Sequence, residues 1–182
     1  VGGLIMGVNG SRELPPARSS AQLHEFLRRV AAATAEEDQA CSLPLQDGLE
    51  RLERLISSGA LIFILSDFHD FDAGAEKALG RLSLRADLRC ILLHDPLESQ
   101  LPRADGLKVS DGEKVLSVRS GDRTLRDAWA ERFAQRKNYL DRVCRNRRIG
   151  LFLLGSGDAP EGLVARKKIF QQAGAFGSRR VR

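Results

Sequence analysis

The sequence predicts an α/β protein built on a mostly parallel sheet with helices on both faces. Three observations predict it. Apolar runs alternate along the chain with stretches of helical period. The two oiliest runs, ALIFIL (60–65) and LRCILL (88–93), are continuous rather than alternating, as suits strands buried on both faces. Both runs end directly in acids and a histidine, at the carboxyl ends where open parallel sheets bind ligands.

The elements follow in order. VGGLIMGVNG (1–10) reads as a buried strand, its glycines permitting close packing. In SRELPPARS, Pro15–Pro16 confines the segment to an edge strand or loop. SAQLHEFLRRVAAATAEED places Leu23, Phe26, Leu27 and Val30 on one face and Arg28 and Arg29 off it, a helix that Ser19 or Ser20 can cap. LQDGLERLERLISSG repeats the pattern with Leu45, Leu49, Leu52 and Ile56. Its Glu50–Arg54 pair is a favourable i,i+4 contact, and Gly59 stops the helix.

The strand Ala60–Ser66 comes next, then a short helix using Ala75, Leu79 and Leu82. LRCILLHDP is a second buried strand, ended by Pro96. LKVSDGEKVLSV holds two short strands about Asp111–Gly112, a hairpin signal. The longest helix runs from a cap at Asp122 to about Asn146, with Leu125, Trp129, Phe133, Leu140 and Val143 as its inner stripe. IGLFLLGSG is the last strand, and PEGLVARKKIFQQAG a terminal helix with Pro160 near its first turn.

With 182 residues, 42% hydrophobic and 29% charged, the chain reads as globular, with one domain over 1–176 and a basic tail at 177–182. No apolar run approaches the roughly 18 residues of a membrane helix, and no signal peptide is visible. The chain lacks an initiator Met and opens inside a strand, so a fragment of a longer parent is expected, with a membrane anchor upstream left open. Cys41, Cys90 and Cys144 have neither zinc nor disulfide spacing and read as reduced, mostly buried thiols of a cytoplasmic protein. The net charge of +5 is uneven: residues 142–182 hold ten Lys/Arg against Asp158 and Glu161. The GSRRVR tail suits nucleic acid or an acidic partner, but no aromatic residues are interleaved with it. Arg142 to Arg148 complement the dipole of the long helix.

The cluster Ser66, Asp67, His69, Asp70 and Asp72 has three readings. Oxygen ligands suit a hard cation such as Mg2+, although one strand end seldom supplies a whole shell. His69 between Asp67 and Asp70 suggests acid–base work, yet no nucleophile elbow accompanies it. Asp70 or Asp72 can instead cap the helix beginning near Ala73. Asp67, directly at the strand end, is the functional candidate. GSGDAP (155–160) is too short for a phosphate loop.

The strand ending in SDF, the following helix and the strand ending in HDPLESQLP resemble the MoxR-associated proteins of unknown function with a von Willebrand factor A-like domain. The short hairpin, the long helix and the closing strand IGLFLLGSGDAPEGL continue that resemblance, and VGGLIMGVNGSRELPPARS resembles the family's second strand and edge strand. It implies a Rossmann-like fold, here truncated at its N-terminus, with a metal-ion-dependent adhesion site at the sheet top. By match, Asp67 is the aspartate after the fourth strand. The threonine ligand's position falls in CSLPL, where Ser42 or Leu43 stands, and Asp-x-Ser-x-Ser occurs nowhere in these residues. Asp67 with Ser42 should therefore bind Mg2+ weakly. Without the first strand, its neighbours would leave unpaired backbone groups, each costing on the order of 1–3 kcal/mol if buried. Direct pairing of the flanking strands, or a homo-oligomer, is expected to close that gap.

The resemblance implies a non-enzymatic interaction domain working with a MoxR-type AAA+ ATPase in assembly or maturation of a client protein. Ser66, Phe68 and His69 would then form the binding face beside Asp67. The rival readings are a metal-dependent hydrolase or phosphotransferase using Asp67, and nucleic-acid binding through the tail.

Overall fold

The computed structural model describes residues 1–7, 10–35, 43–103, 107–110, 115–118 and 121–165. Ser42, Asp111–Gly112 and the 177–182 tail lie outside them. The chain gathers into two compact units: Val1–Ser57 with Asp70–Leu82, and Ser58–His69 with Ser83–Arg182.

The first unit opens with an antiparallel pair, β1 (Gly3–Gly7) and β2 (Gly10–Leu14), in register from Gly3↔Leu14 to Gly7↔Gly10. Gly10 sits at φ +100°, a left-handed conformation that a β-carbon would strain. β2 stops before Pro15–Pro16, as a strand must where donors vanish. Helix α1 (Ser20–Thr34) is capped by Ser19, whose hydroxyl accepts from the Gln22 N–H at 3.1 Å. Its expected inner face is not sequestered: α1 holds no buried residue, and Leu23 and Leu27 are 39% and 55% exposed.

Helix α2 (Leu45–Leu55) begins at Pro44, which has no side-chain cap to offer. Asp70, twenty-five residues on, supplies it, its Oδ2 accepting from the Leu45 N–H at 2.7 Å. Asp72 caps helix α3 (Ala73–Ser83) through the Ala75 N–H at 2.8 Å. The two acids weighed as alternatives for one helix thus cap two. Arg81 then joins α3 to α2 through Glu53 at 2.9 Å and Glu50 at 3.3 Å.

The second unit holds a parallel sheet of β3 (Leu61–Ser66), β4 (Asp87–His94) and β7 (Gly150–Gly155), in the order β3-β4-β7. Ser66, His94 and Gly155 end the three strands side by side, since Ser66 pairs with Leu92 and His94 with Gly155. Helix α4 (Pro96–Ser99), the antiparallel pair β5 (Leu107–Ser110) and β6 (Val115–Val118), helix α5 (Arg123–Asn146) and helix α6 (Glu161–Ala165) complete it.

Burial is heaviest on β4, where Leu88 to Leu92 are all buried. Arg89 is buried completely and reaches back along its own strand to Asp87, with a second hydrogen bond at 2.9 Å and a third to the Leu88 carbonyl at 2.8 Å. Gly150 leaves it room: a β-carbon there would stand 2.8 Å from the Arg89 Cδ.

Three expectations change here. β3 is buried on one face only, since Leu61, Phe63 and Leu65 are 41%, 38% and 59% exposed; its uninterrupted apolar run reflects composition, not cover on both sides. The direct pairing expected across the gap is absent among the described ladders, where β1 pairs with β2 and β3 with β4, in separate sheets. Only the C-terminal part of the α5 stripe is buried, at Leu140 and Val143, while Leu125 is exposed and the Trp129 indole donates to the Leu97 carbonyl at 2.8 Å. No described helix is long and apolar enough to cross a membrane.

Candidate functional site

The carboxyl ends of β3, β4 and β7 carry one connected polar rim within the second unit. It starts at the turn after β3. The Ser66 hydroxyl accepts from the Phe68 N–H at 3.0 Å, and Asp67 Oδ1 accepts from the His69 N–H at 3.0 Å. These two bonds hold Phe68 at φ +50°, a left-handed geometry unusual for a side chain of its size. Asp67 and His69 therefore face solvent, while the Phe68 ring is 1% exposed. Phe68 corrects an expectation: its side chain is not on the binding face, because the turn that presents its two neighbours turns it inward.

After β4, Asp95 opens helix α4 with a capping box. Its Oδ1 accepts from the Leu97 N–H at 2.7 Å, while Glu98 Oε1 accepts from the Asp95 N–H at 3.1 Å. The other Asp95 oxygen accepts from the Ser156 hydroxyl at 3.1 Å, tying the β4 tip to the β7 tip. Asp158 closes the β7 turn, accepting from the Gly155 N–H at 2.8 Å.

Arg136, reaching in from α5, joins the pieces. Its Nη1 donates to His69 Nδ1 at 2.6 Å, and its Nη2 pairs with Glu98 Oε2. The guanidinium also lies 5.5 Å from the Phe133 ring centroid, and that ring stands 5.3 Å from the His94 imidazole. An arginine can only donate, so His69 Nδ1 is an acceptor here.

Of the residues expected at a site, Ser66, Asp67 and His69 are brought together, Phe68 is turned away, and Ser42 is outside the described residues. Glu98, Arg136 and Ser156 are new there, and Asp95 was marked only by its place at the end of the second apolar run. The spacing Asp95-x-x-Glu98 after a strand was a usable capping signal. Arg136 lies 67 residues from its histidine, and no local pattern announces it.

Of the two metal ligands expected, Asp67 stands at the β3 tip and Ser42 lies outside the described residues. One Asp67 oxygen is engaged by the turn, and among the described residues no three His, Cys, Asp or Glu side chains converge. Cys90 and Cys144, both buried, lie away from the rim. The hydrogen bond that the Cys90 thiol shares with Cys144, reinforced by burial, pushes Cys90 well above its ordinary range, so it is poorly suited to nucleophilic work.

A family described as "Protein of unknown function DUF58" matches residues 1–139. No curated protein matches the chain. The structure is similar to the crystal structure of a conserved hypothetical protein, BatB, from Bacteroides thetaiotaomicron, with a TM-score of 0.51 and 13% identity over 94% of this chain and 78% of that one. At that identity the likeness speaks for the α/β fold alone.

Proposed function

The chain belongs to the DUF58 family of unknown function, and from that premise we propose that it is a non-enzymatic interaction domain of the von Willebrand factor A-like type. In this reading it docks a MoxR-type AAA+ ATPase through the strand-tip rim and serves in the assembly or maturation of a client protein.

One observation carries the reading: the rim is exposed yet held in place by hydrogen bonds. Asp67, His69, Asp95 and Ser156 are open to solvent. The turn bonds of Asp67 and the Asp95–Ser156 bond fix their backbones and directions before any partner arrives. A surface ordered in advance loses little conformational entropy on docking, which favours specific recognition over flexible contact. The order of elements along the chain and the similarity to the BatB structure are compatible with the fold assigned.

The contact as proposed is direct, through hydrogen bonds made by the rim itself. A free Asp67 oxygen, the His69 Nε2 and the Ser156 hydroxyl offer an acceptor, a donor and a group that serves as either. Titration calorimetry of the chain with a MoxR-type ATPase tests this. The expected result is a complex that Asp67→Ala weakens at least about tenfold, the scale of an interface hot spot. Magnesium-dependent turnover of a generic phosphoester, lost in Asp67→Ala, would favour the enzymatic reading instead.

A further inference from the structure

At the opposite end of the same three-stranded sheet, we propose a second surface, one that docks on an anionic lipid bilayer. Two loops build it, and both lead into strands at their amino ends. The first carries Leu84 and Arg85 into β4, and the second carries Arg147 and Arg148 out of α5 into β7. Because β4 and β7 are adjacent and parallel, with Arg89 beside Gly150, the two loops emerge side by side. The Gly59 N–H donates to the Arg85 carbonyl at 2.8 Å, securing the first loop to the chain entering β3.

Three features of these loops point outward. Leu84 is 75% exposed, the highest value among the large apolar side chains described as exposed. Arg85, Arg147 and Arg148 are exposed, with Arg142 and Arg145 one turn further along α5. Among the described residues, Asp87 pairs with Arg89, and Asp141 with Arg145 at 2.9 Å. Arg142 lies over Tyr139 at 5.1 Å.

The backbone adds an independent observation. Arg148 sits at φ +58°, just past the helix, where glycine or asparagine is the residue of least strain. Complementing the helix dipole does not call for an arginine there, because Arg145 and Arg147 already lie at the helix end. The strain accompanies a third guanidinium on these loops.

An exposed leucine flanked by arginines fits an interface with an acidic headgroup layer above apolar tails. Arginine suits it better than lysine, since its fork binds phosphate in two places. Nucleic acid would use the charges but not the leucine. Each arginine near such a surface contributes about fivefold in affinity, so three give on the order of a hundredfold.

Sedimentation of the chain with vesicles tests this, comparing phosphatidylcholine–phosphatidylglycerol with phosphatidylcholine alone. The expected result is binding to the anionic vesicles only, abolished by high salt. Arg147→Glu with Arg148→Glu should remove it, and Leu84→Ser should weaken it several-fold. Arg148→Gly separates function from fold, since it should raise the melting temperature while lowering vesicle binding about fivefold. Absence of vesicle binding, equal binding to neutral vesicles, or Arg148→Gly that stabilises with binding unchanged would each overturn the proposal. Tight binding to duplex DNA that ignores Leu84→Ser would assign the surface to nucleic acid and overturn it as well.

Discussion

Arg136 donates to His69 at 2.6 Å across 67 residues of sequence, and the same guanidinium pairs with Glu98. One arginine from α5 thus fixes the turn after β3 against the helix after β4. Since an arginine can only donate, His69 accepts this bond through Nδ1. Arg136→Ala removes both partners at once. With a side chain only 18% exposed, its loss should lower stability by about 1–3 kcal/mol in urea denaturation. The turn amides of residues 67–69 should exchange faster with solvent in the variant.

The capping acids give a second expectation. Asp70 caps α2 and Asp72 caps α3, each through a single carboxylate oxygen. Asp70→Ala and Asp72→Ala should each cost about 1 kcal/mol, and neither should alter partner binding at the rim. The double variant should cost about the sum, measured by chemical denaturation. A much larger loss would mean that these acids do more than cap.

Acid should loosen α1 in a defined window. The hydrogen bonds from Arg28 and then Arg29 hold the Glu25 carboxyl down at about 2, from an ordinary 4.5. A carboxyl whose value is depressed in the folded state stabilises it fully above its unfolded value, and that contribution fades as pH falls towards the folded one. The thermal stability of the native chain should therefore exceed that of Glu25→Gln at neutral pH. The difference should shrink between pH 4.5 and about 2 and be absent below. Because this carboxylate is only partly covered, added salt should reduce the difference too.

β3 predicts association. Among the described strands it pairs with β4 alone, and the sequence LIFILS holds no charge, proline or glycine to discourage association. Leu61 and Leu65 are exposed along it. Light scattering should show concentration-dependent self-association, and Leu65→Lys should suppress it while leaving the melting temperature within about 1 °C. A clean monomer at high concentration would rule this out.

Much of this architecture was legible in the chain because its signals are local. Continuous apolar runs marked β3 and β4, Ser19 and Asp122 marked helix starts, and Pro15 marked the end of β2. What escaped was long-range. The exposed face of β3 depends on which elements cover it, and a run such as LIFIL reads alike whether covered on one face or two. Asp70 looked like a cap for the nearest helix, yet it serves α2, whose own cap position is a proline. Asp67 and His69 were marked by their place at a strand end, but Arg136 belongs to the rim only through folding.

The central claim is that the strand-tip rim docks an AAA+ partner. Hydrogen–deuterium exchange on the chain, alone and with a MoxR-type ATPase, tests it most directly. The account predicts slowed exchange in the three turns at 66–69, 95–98 and 156–158, lost again in Asp67→Ala. Complex formation that leaves those turns exchanging at their free rates would contradict it.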